Sequence, residues 1–111
     1  MPLNVAVVRP LVLLLVACSL GCSDRKGFDR ICGFYRELAK SPTAASYSDQ
    51  QRTEYIRARV SKELGVSEPA REHWNAVADG VSPGSRYRMF RGIANDVAKD
   101  WECPSMEALF D

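Results

Sequence analysis

The sequence predicts a small all-α domain, and three observations predict it. Apolar residues recur at three- and four-residue spacing in four successive segments, and no stretch alternates apolar and polar residues with the two-residue period of a strand. The breaks between those segments carry proline, glycine and potential helix-capping serines. The expected architecture is a bundle of about four helices followed by a short C-terminal helical turn.

The first helix is expected from about Phe28 to Lys40, with Phe28, Ile31, Cys32, Tyr35, Leu38 and Ala39 on its inward face and Arg30, Arg36, Glu37 and Lys40 off it. Gly33 interrupts that run, at a cost of roughly 1 kcal/mol relative to alanine; it either permits close approach of another helix or is simply tolerated at the surface. Ser41-Pro42 ends the helix, because the residue before a proline is pushed out of the helical region. After a loop over Thr43 to Tyr47, Ser48 and Gln51 fit a reciprocal capping box for the second helix. Ile56, Val60 and Leu64 form its apolar line, widened by Thr53 or by Tyr55 and Ala58. Arg59 and Glu63 are four apart and can pair, and Gly65 is expected as the C-terminal stop.

Ser67 is the expected cap of a third helix that opens on Glu68-Pro69, buries Ala70, Trp74, Val77 and Ala78, and closes at Asp79-Gly80. Val81 to Ser85 reads as a turn. A fourth helix is expected from Ser85 to the Pro104 break, with Tyr87, Phe90, Ile93 or Ala94, Val97 and Trp101 inward; its three aromatics make it the central helix. Ser105 can cap a last turn that docks Met106, Leu109 and Phe110.

The N-terminus is organised differently. Leu11 to Ser23 reads LVLLLVACSLGCS and follows a segment whose only charged side chain is Arg9. A dozen or so apolar residues fall short of the roughly 20 that span a bilayer, so the layout is that of a secretory signal. Within it, Leu15-Val16-Ala17-Cys18 resembles the lipobox of bacterial lipoproteins, in which the signal is cut before the cysteine and the thiol takes a diacylglyceryl group.

The resemblance covers the first twenty or so residues and names no domain family for the remainder. It implies a signal peptide over 1–17 and an acylated Cys18; by the reading of the residues themselves, a polar tether over 18–27 then leads to the helical domain over 28–111. Ser19-Leu20-Gly21-Cys22 offers a second register, with the signal over 1–21 and Cys22 acylated, although Ser19 stands where the family has Leu, Val or Ile. Local pattern favours Cys18. Cysteine parity favours Cys22, since Cys18 would then leave with the signal and Cys32 and Cys103 would remain as an even pair. An ordinary secretory signal with both early cysteines incidental is the plainer alternative. In either lipobox register the next residue is serine, not the aspartate that retains enterobacterial lipoproteins at the inner membrane, so the resemblance implies the outer membrane, facing the periplasm.

Removal of the signal leaves about 90 residues, a size at which a core alone is marginal and a crosslink helps. Cys32 lies on the inward face of the first helix and Cys103 directly follows the fourth, so a disulfide between them would tie the first helix to the last. Closing a loop of about 70 residues contributes roughly 4 kcal/mol in the chain-entropy treatment, and in an exported protein that bridge is expected over two unlinked thiols.

Chemistry is sparse. The formal net charge is +1, which argues against nucleic acid as a partner. Cysteines at 18, 22, 32 and 103 with one histidine, His73, make no adequate metal-ligand set, and no cofactor is expected. His73 beside Trp74 could act as a base, but an ordinary surface histidine is the commoner case. Asp96 and Asp100 are four apart on the fourth helix, and Ser82-Pro83-Gly84-Ser85 has the hydroxyls and glycine of an anion-binding turn without the lysine of a phosphate loop. Arg86, Arg88 and Arg91, interleaved with Tyr87 and Phe90, are the densest basic cluster and the candidate partner surface, with internal ion pairs as the plainer role.

Two functions are expected from these features. One is a non-catalytic envelope lipoprotein, lipid-anchored to the membrane and binding another envelope protein as an assembly factor, inhibitor or immunity protein. The other is a soluble periplasmic ligand-binding domain or small enzyme with a pocket near His73.

Overall fold

The structure, a computed structural model, describes residues 25–111; the expected signal and both candidate acylation cysteines lie outside the described residues. Among the described residues there is no strand. Helix α1 runs over 25–40, and a 3-10 turn, Ala44–Ser46, leads to α2, Asp49–Glu63. Then follow α3, Pro69–Gly80, α4, Arg86–Asn95, and the short α5, Pro104–Phe110. The expected all-α bundle is therefore present, with the fourth helix shorter and the first longer than the sequence indicates.

Helix α1 is already running at residue 25, so the end of the expected tether is helical. Its buried face holds Phe28, Ile31, Cys32, Tyr35 and Leu38, as expected, but Phe34 replaces Ala39, which is exposed. Close approach of a second helix occurs at Gly27, where an added Cβ would stand 3.0 Å from the Ala70 Cβ and from Glu68 Oε2, and not at Gly33, which has open space.

Helix α2 starts as its capping box requires. Gln51 N donates to Ser48 Oγ at 3.1 Å, and Ser48 N donates to Gln51 Oε1 at 2.7 Å. Thr53, rather than Tyr55 with Ala58, widens the buried line of Ile56, Val60 and Leu64. The helix stops because Leu64 turns extended at φ −112° and ψ 134°; Gly65 is not in the left-handed conformation of a terminal glycine cap. At α3 the cap position belongs to Glu68, not Ser67: Pro69 takes the first helical position and forces the residue before it to extended backbone.

Helix α4 departs furthest from expectation. It ends at Asn95, and 96–100 form turns, so neither Asp96 nor Asp100 is helical and Val97 is exposed. The Asn95 amide closes this corner, donating to Arg91 O at 2.7 Å and accepting from Trp101 N at 3.1 Å. Asp100 takes the left-handed φ of 62° and reverses the chain. The reversal is what delivers Trp101 and Cys103 back to α1. Pro104, expected as a helix terminator, is the first residue of α5, with Cys103 rather than Ser105 at the cap.

The core has two aromatic clusters separated along α1 by the Cys32–Cys103 disulfide, whose sulfurs are 2.04 Å apart. In the first, Phe28 meets Phe90 at 5.3 Å and Trp101 at 6.2 Å between ring centroids. In the second, Phe110 lies between Trp74 at 5.7 Å and Tyr35 at 5.6 Å. Phe90, Ile31, Ile56 and Trp74 are completely buried. Each large apolar side chain so placed contributes about 1.5–3 kcal/mol relative to exposure.

Candidate interaction surface

Arginine dominates the polar surface, and most of it is committed to the fold. Arg59 donates to Glu37 on α1 and Glu63 on α2 and covers the Phe34 ring at 4.7 Å, so the i,i+4 pair expected from sequence is part of an interhelical bridge. The hydrogen bond from Arg59 holds the Glu63 carboxyl below its ordinary range. Arg57 joins Glu54 to Asp79 on α3 and lies 5.4 Å over the Trp74 ring. Partial burial opposes the charge on the Arg57 guanidinium, but the hydrogen bonds and charges of Asp79 and Glu54 together outweigh it and raise the group above its ordinary range.

The three arginines of the expected partner surface point three ways. Residues two apart on a helix do not share a face, and Arg86 and Arg88 obey that geometry. Arg86 turns inward with 12% of its side chain exposed, donating from Nε to Val81 O at 2.9 Å and from Nη1 to Asp49 at 3.1 Å, 5.5 Å over the Phe110 ring. It is a structural clamp between α2, α4 and α5. Arg91 is exposed and pairs with Glu102 at 3.2 Å. Arg88 is exposed and makes no ion pair among the described residues.

Arg88 instead borders a hollow of about 300 Å³ along the outer face of α4, lined by Ser85, Arg88, Met89, Gly92, Ile93 and Asp96. Those positions recur at three- and four-residue spacing, so α4 with its two flanking residues, Ser85 and Asp96, presents one stripe. Gly92 contributes no side chain at its centre and Met89 is 51% exposed beside it. An unbranched, polarizable methionine between a cation and a carboxylate can adapt its shape to an apolar contact. Sequence reasoning found Arg88 but not this stripe, although the spacing of 85, 88, 89, 92, 93 and 96 was present as a signal. A second hollow of about 400 Å³ lies against Tyr47, which precedes α2, and Gln51, Glu54 and Tyr55 on α2.

His73 is exposed, its ring 6.4 Å from that of Phe28, and neither hollow is lined by it. Among the described residues no three His, Cys, Asp or Glu side chains converge as a metal site, and no helix is long and apolar enough to cross a membrane. At the start of α4 the Ser85 side chain makes no capping bond; the Asp111 carboxylate accepts from Tyr87 N at 2.9 Å in its place. Compared with known proteins, the chain matches no protein-family model, no curated protein and no solved structure.

Proposed function

We propose that this protein is a non-catalytic lipoprotein of the bacterial cell envelope, whose disulfide-stapled helical domain binds another envelope protein through the outer face of α4. The lipobox-like Leu15-Val16-Ala17-Cys18, with Cys22 as the alternative, supports the anchor and the envelope address. The observation that carries the binding role is the α4 stripe: half-exposed Met89 beside Gly92, with Arg88 and Asp96 at its edges, on a helix whose opposite face is locked into the core through Tyr87, Phe90 and Ala94. A rigid helix presenting one apolar anchor within a charged rim is the arrangement that recurs at protein interfaces.

Two experiments test the reading. Intact-mass spectrometry of the membrane fraction should give an acylated chain beginning at Cys18 or Cys22 with one disulfide; a soluble, unacylated chain would overturn the address. A photo-crosslinking residue at Met89 or Arg88 should capture a discrete envelope protein in cells, and Arg88→Glu in the Met89-labelled chain should abolish that adduct. Equal labelling from Met89 and from Thr43, exposed in the loop before α2, would remove the α4 face from consideration.

A further inference from the structure

The chain enters the described domain at residue 25, and the elements at that end can be identified from their contacts. Glu68 and Ala70, at the start of α3, abut Gly27. The last turn of α2 is there, because Arg30 donates to Glu63 O at 2.9 Å. Phe28 meets Phe90, and the Trp101 Nε1 donates to Asp29 at 3.0 Å. Tyr87, whose hydroxyl accepts from Cys103 N, sits level with the Cys32–Cys103 bridge, so α4 runs antiparallel to α1. The turn after Asn95 therefore lies beside the first turn of α1. The same end of the bundle carries the 64–68 connection, the 96–100 turn and the first turn of α1.

That end differs from the rest of the surface in two ways. Of the three large apolar side chains that are exposed among the described residues, two are here, Val66 at 83% and Val97 at 41%. Three of the four lysines of the chain, Lys26, Lys62 and Lys99, are also here, all exposed, while the fourth, Lys40, is at the far end of α1. All eight ion pairs among the described residues use arginine, leaving these lysines without an anionic partner there. Acidic groups at this end are in part engaged: Asp29 by Arg25 and Trp101, Glu63 by Arg59 and Arg30, with Glu68 against Gly27; Asp96 and Asp100 flank Val97.

From this placement we infer that the α1-entry end of the bundle, through Val66, Val97, Lys26, Lys62 and Lys99, seats on the phospholipid surface that holds the anchor. The inference rests on the lipoprotein reading above. Chain length supports it: Cys22 is three residues from Arg25 and Cys18 is seven. At about 3.3–3.6 Å per residue the domain starts within about 11 Å or about 25 Å of its acylated cysteine. Small apolar side chains can enter the headgroup layer while lysines reach phosphate oxygens, and neither alone would hold a domain there without the acyl chains. The seated bundle presents the α4 stripe along its side, toward partners in the same leaflet.

The lysines themselves are the test. The full-length expressed protein is purified from membranes, its acylation read by intact mass, and reconstituted into phosphatidylethanolamine–phosphatidylglycerol vesicles. It is then treated with a water-soluble amine-acylating reagent. Lys26, Lys62 and Lys99 should label about fivefold or more slowly than Lys40, because the headgroup layer occludes them. The Val66→Glu, Val97→Glu double variant, of matching acylation, should restore their labelling. An acylated chain in which all four lysines label alike would overturn the seating while leaving the anchor intact. An unacylated mass would overturn the anchor and the seating with it.

Discussion

The indole Nε1 of Trp74 donates to the hydroxyl oxygen of Tyr35 across 2.9 Å, with both side chains inside the core. Burial pushes the Tyr35 phenol well above its ordinary range, and the bond from Trp74 opposes that only in part. In the unfolded chain the same tyrosine ionises near pH 10. The neutral form is thus the folded form, and its stabilising effect is complete below pH ~10 and is lost as pH rises beyond it, at up to about 1.4 kcal/mol per pH unit. Tyr35→Phe removes this alkaline loss but leaves the Trp74 N–H without its acceptor, which costs about 1–3 kcal/mol. Urea unfolding should therefore show the variant less stable at pH 7 and flatter between pH 10 and 11; parallel curves would refute the assignment.

The Cys32–Cys103 bridge closes a sequence separation of 71 residues and has nearly no exposed surface at either cysteine. Its removal in a Cys32→Ala, Cys103→Ala chain should cost about 4 kcal/mol, a large part of the stability of a small domain. Because the sulfurs are covered, reductant should open the bridge at a rate that rises with urea rather than with exposure of the native surface. Fast reduction in native buffer would show that the end of the chain detaches locally.

Asp100 holds a left-handed φ of 62°, a conformation that costs an L-residue about 1–2 kcal/mol. Asp100→Gly should raise the melting temperature and Asp100→Val should lower it. Asn95→Ala, which removes the side-chain bonds to Arg91 O and Trp101 N, should cost about 1–2 kcal/mol. If the fourth helix continued to Cys103 in solution, the glycine would be destabilising instead, so the sign of one substitution separates the two geometries.

Thr53 is buried in α2 and its hydroxyl has no hydrogen-bond partner among the described residues. Thr53→Val keeps the shape and removes the unsatisfied group, so it should stabilise by about 1 kcal/mol in thermal unfolding. Loss of stability would show that the hydroxyl has a partner in solution.

What could be read from the chain and what could not follow the range of the interactions. The Ser48–Gln51 capping box, the inward face of α3, most of those of α1 and α2 and the cysteine pairing depend on short spacing or on parity and are legible, whereas Ala39 is exposed and Phe34 is buried in its place. The end of α4 was not, because Tyr87, Phe90, Ala94 and Trp101 are all buried whether or not the helix continues; the corner is decided by one amide side chain and one aspartate. Asp111 accepting a hydrogen bond from Tyr87 N acts across 24 residues and leaves no local signature. For the surface, composition located the arginines, but only tertiary packing showed that Arg86 is a clamp, that Arg91 faces Glu102 and that Arg88 borders the Met89 hollow.

Two glycines of α1 make the last comparison, since they share a helix and differ in their neighbours. Gly33 faces open space, so Gly33→Ala should gain up to about 1 kcal/mol through reduced backbone entropy in the unfolded chain and better helix propensity. Gly27→Ala gains the same propensity but places a methyl 3.0 Å from the Ala70 Cβ, which is fixed on α3, and 3.0 Å from Glu68 Oε2. The carboxylate can rotate away, whereas the α3 backbone must shift to release Ala70, and overpacking of this kind costs about 1–3 kcal/mol. Thermal unfolding should accordingly move in opposite directions for the two variants. Were both to rise, α1 and α3 would have to be further apart at Gly27 than the structure places them; the packing of the bundle end assigned to the membrane surface would change with it.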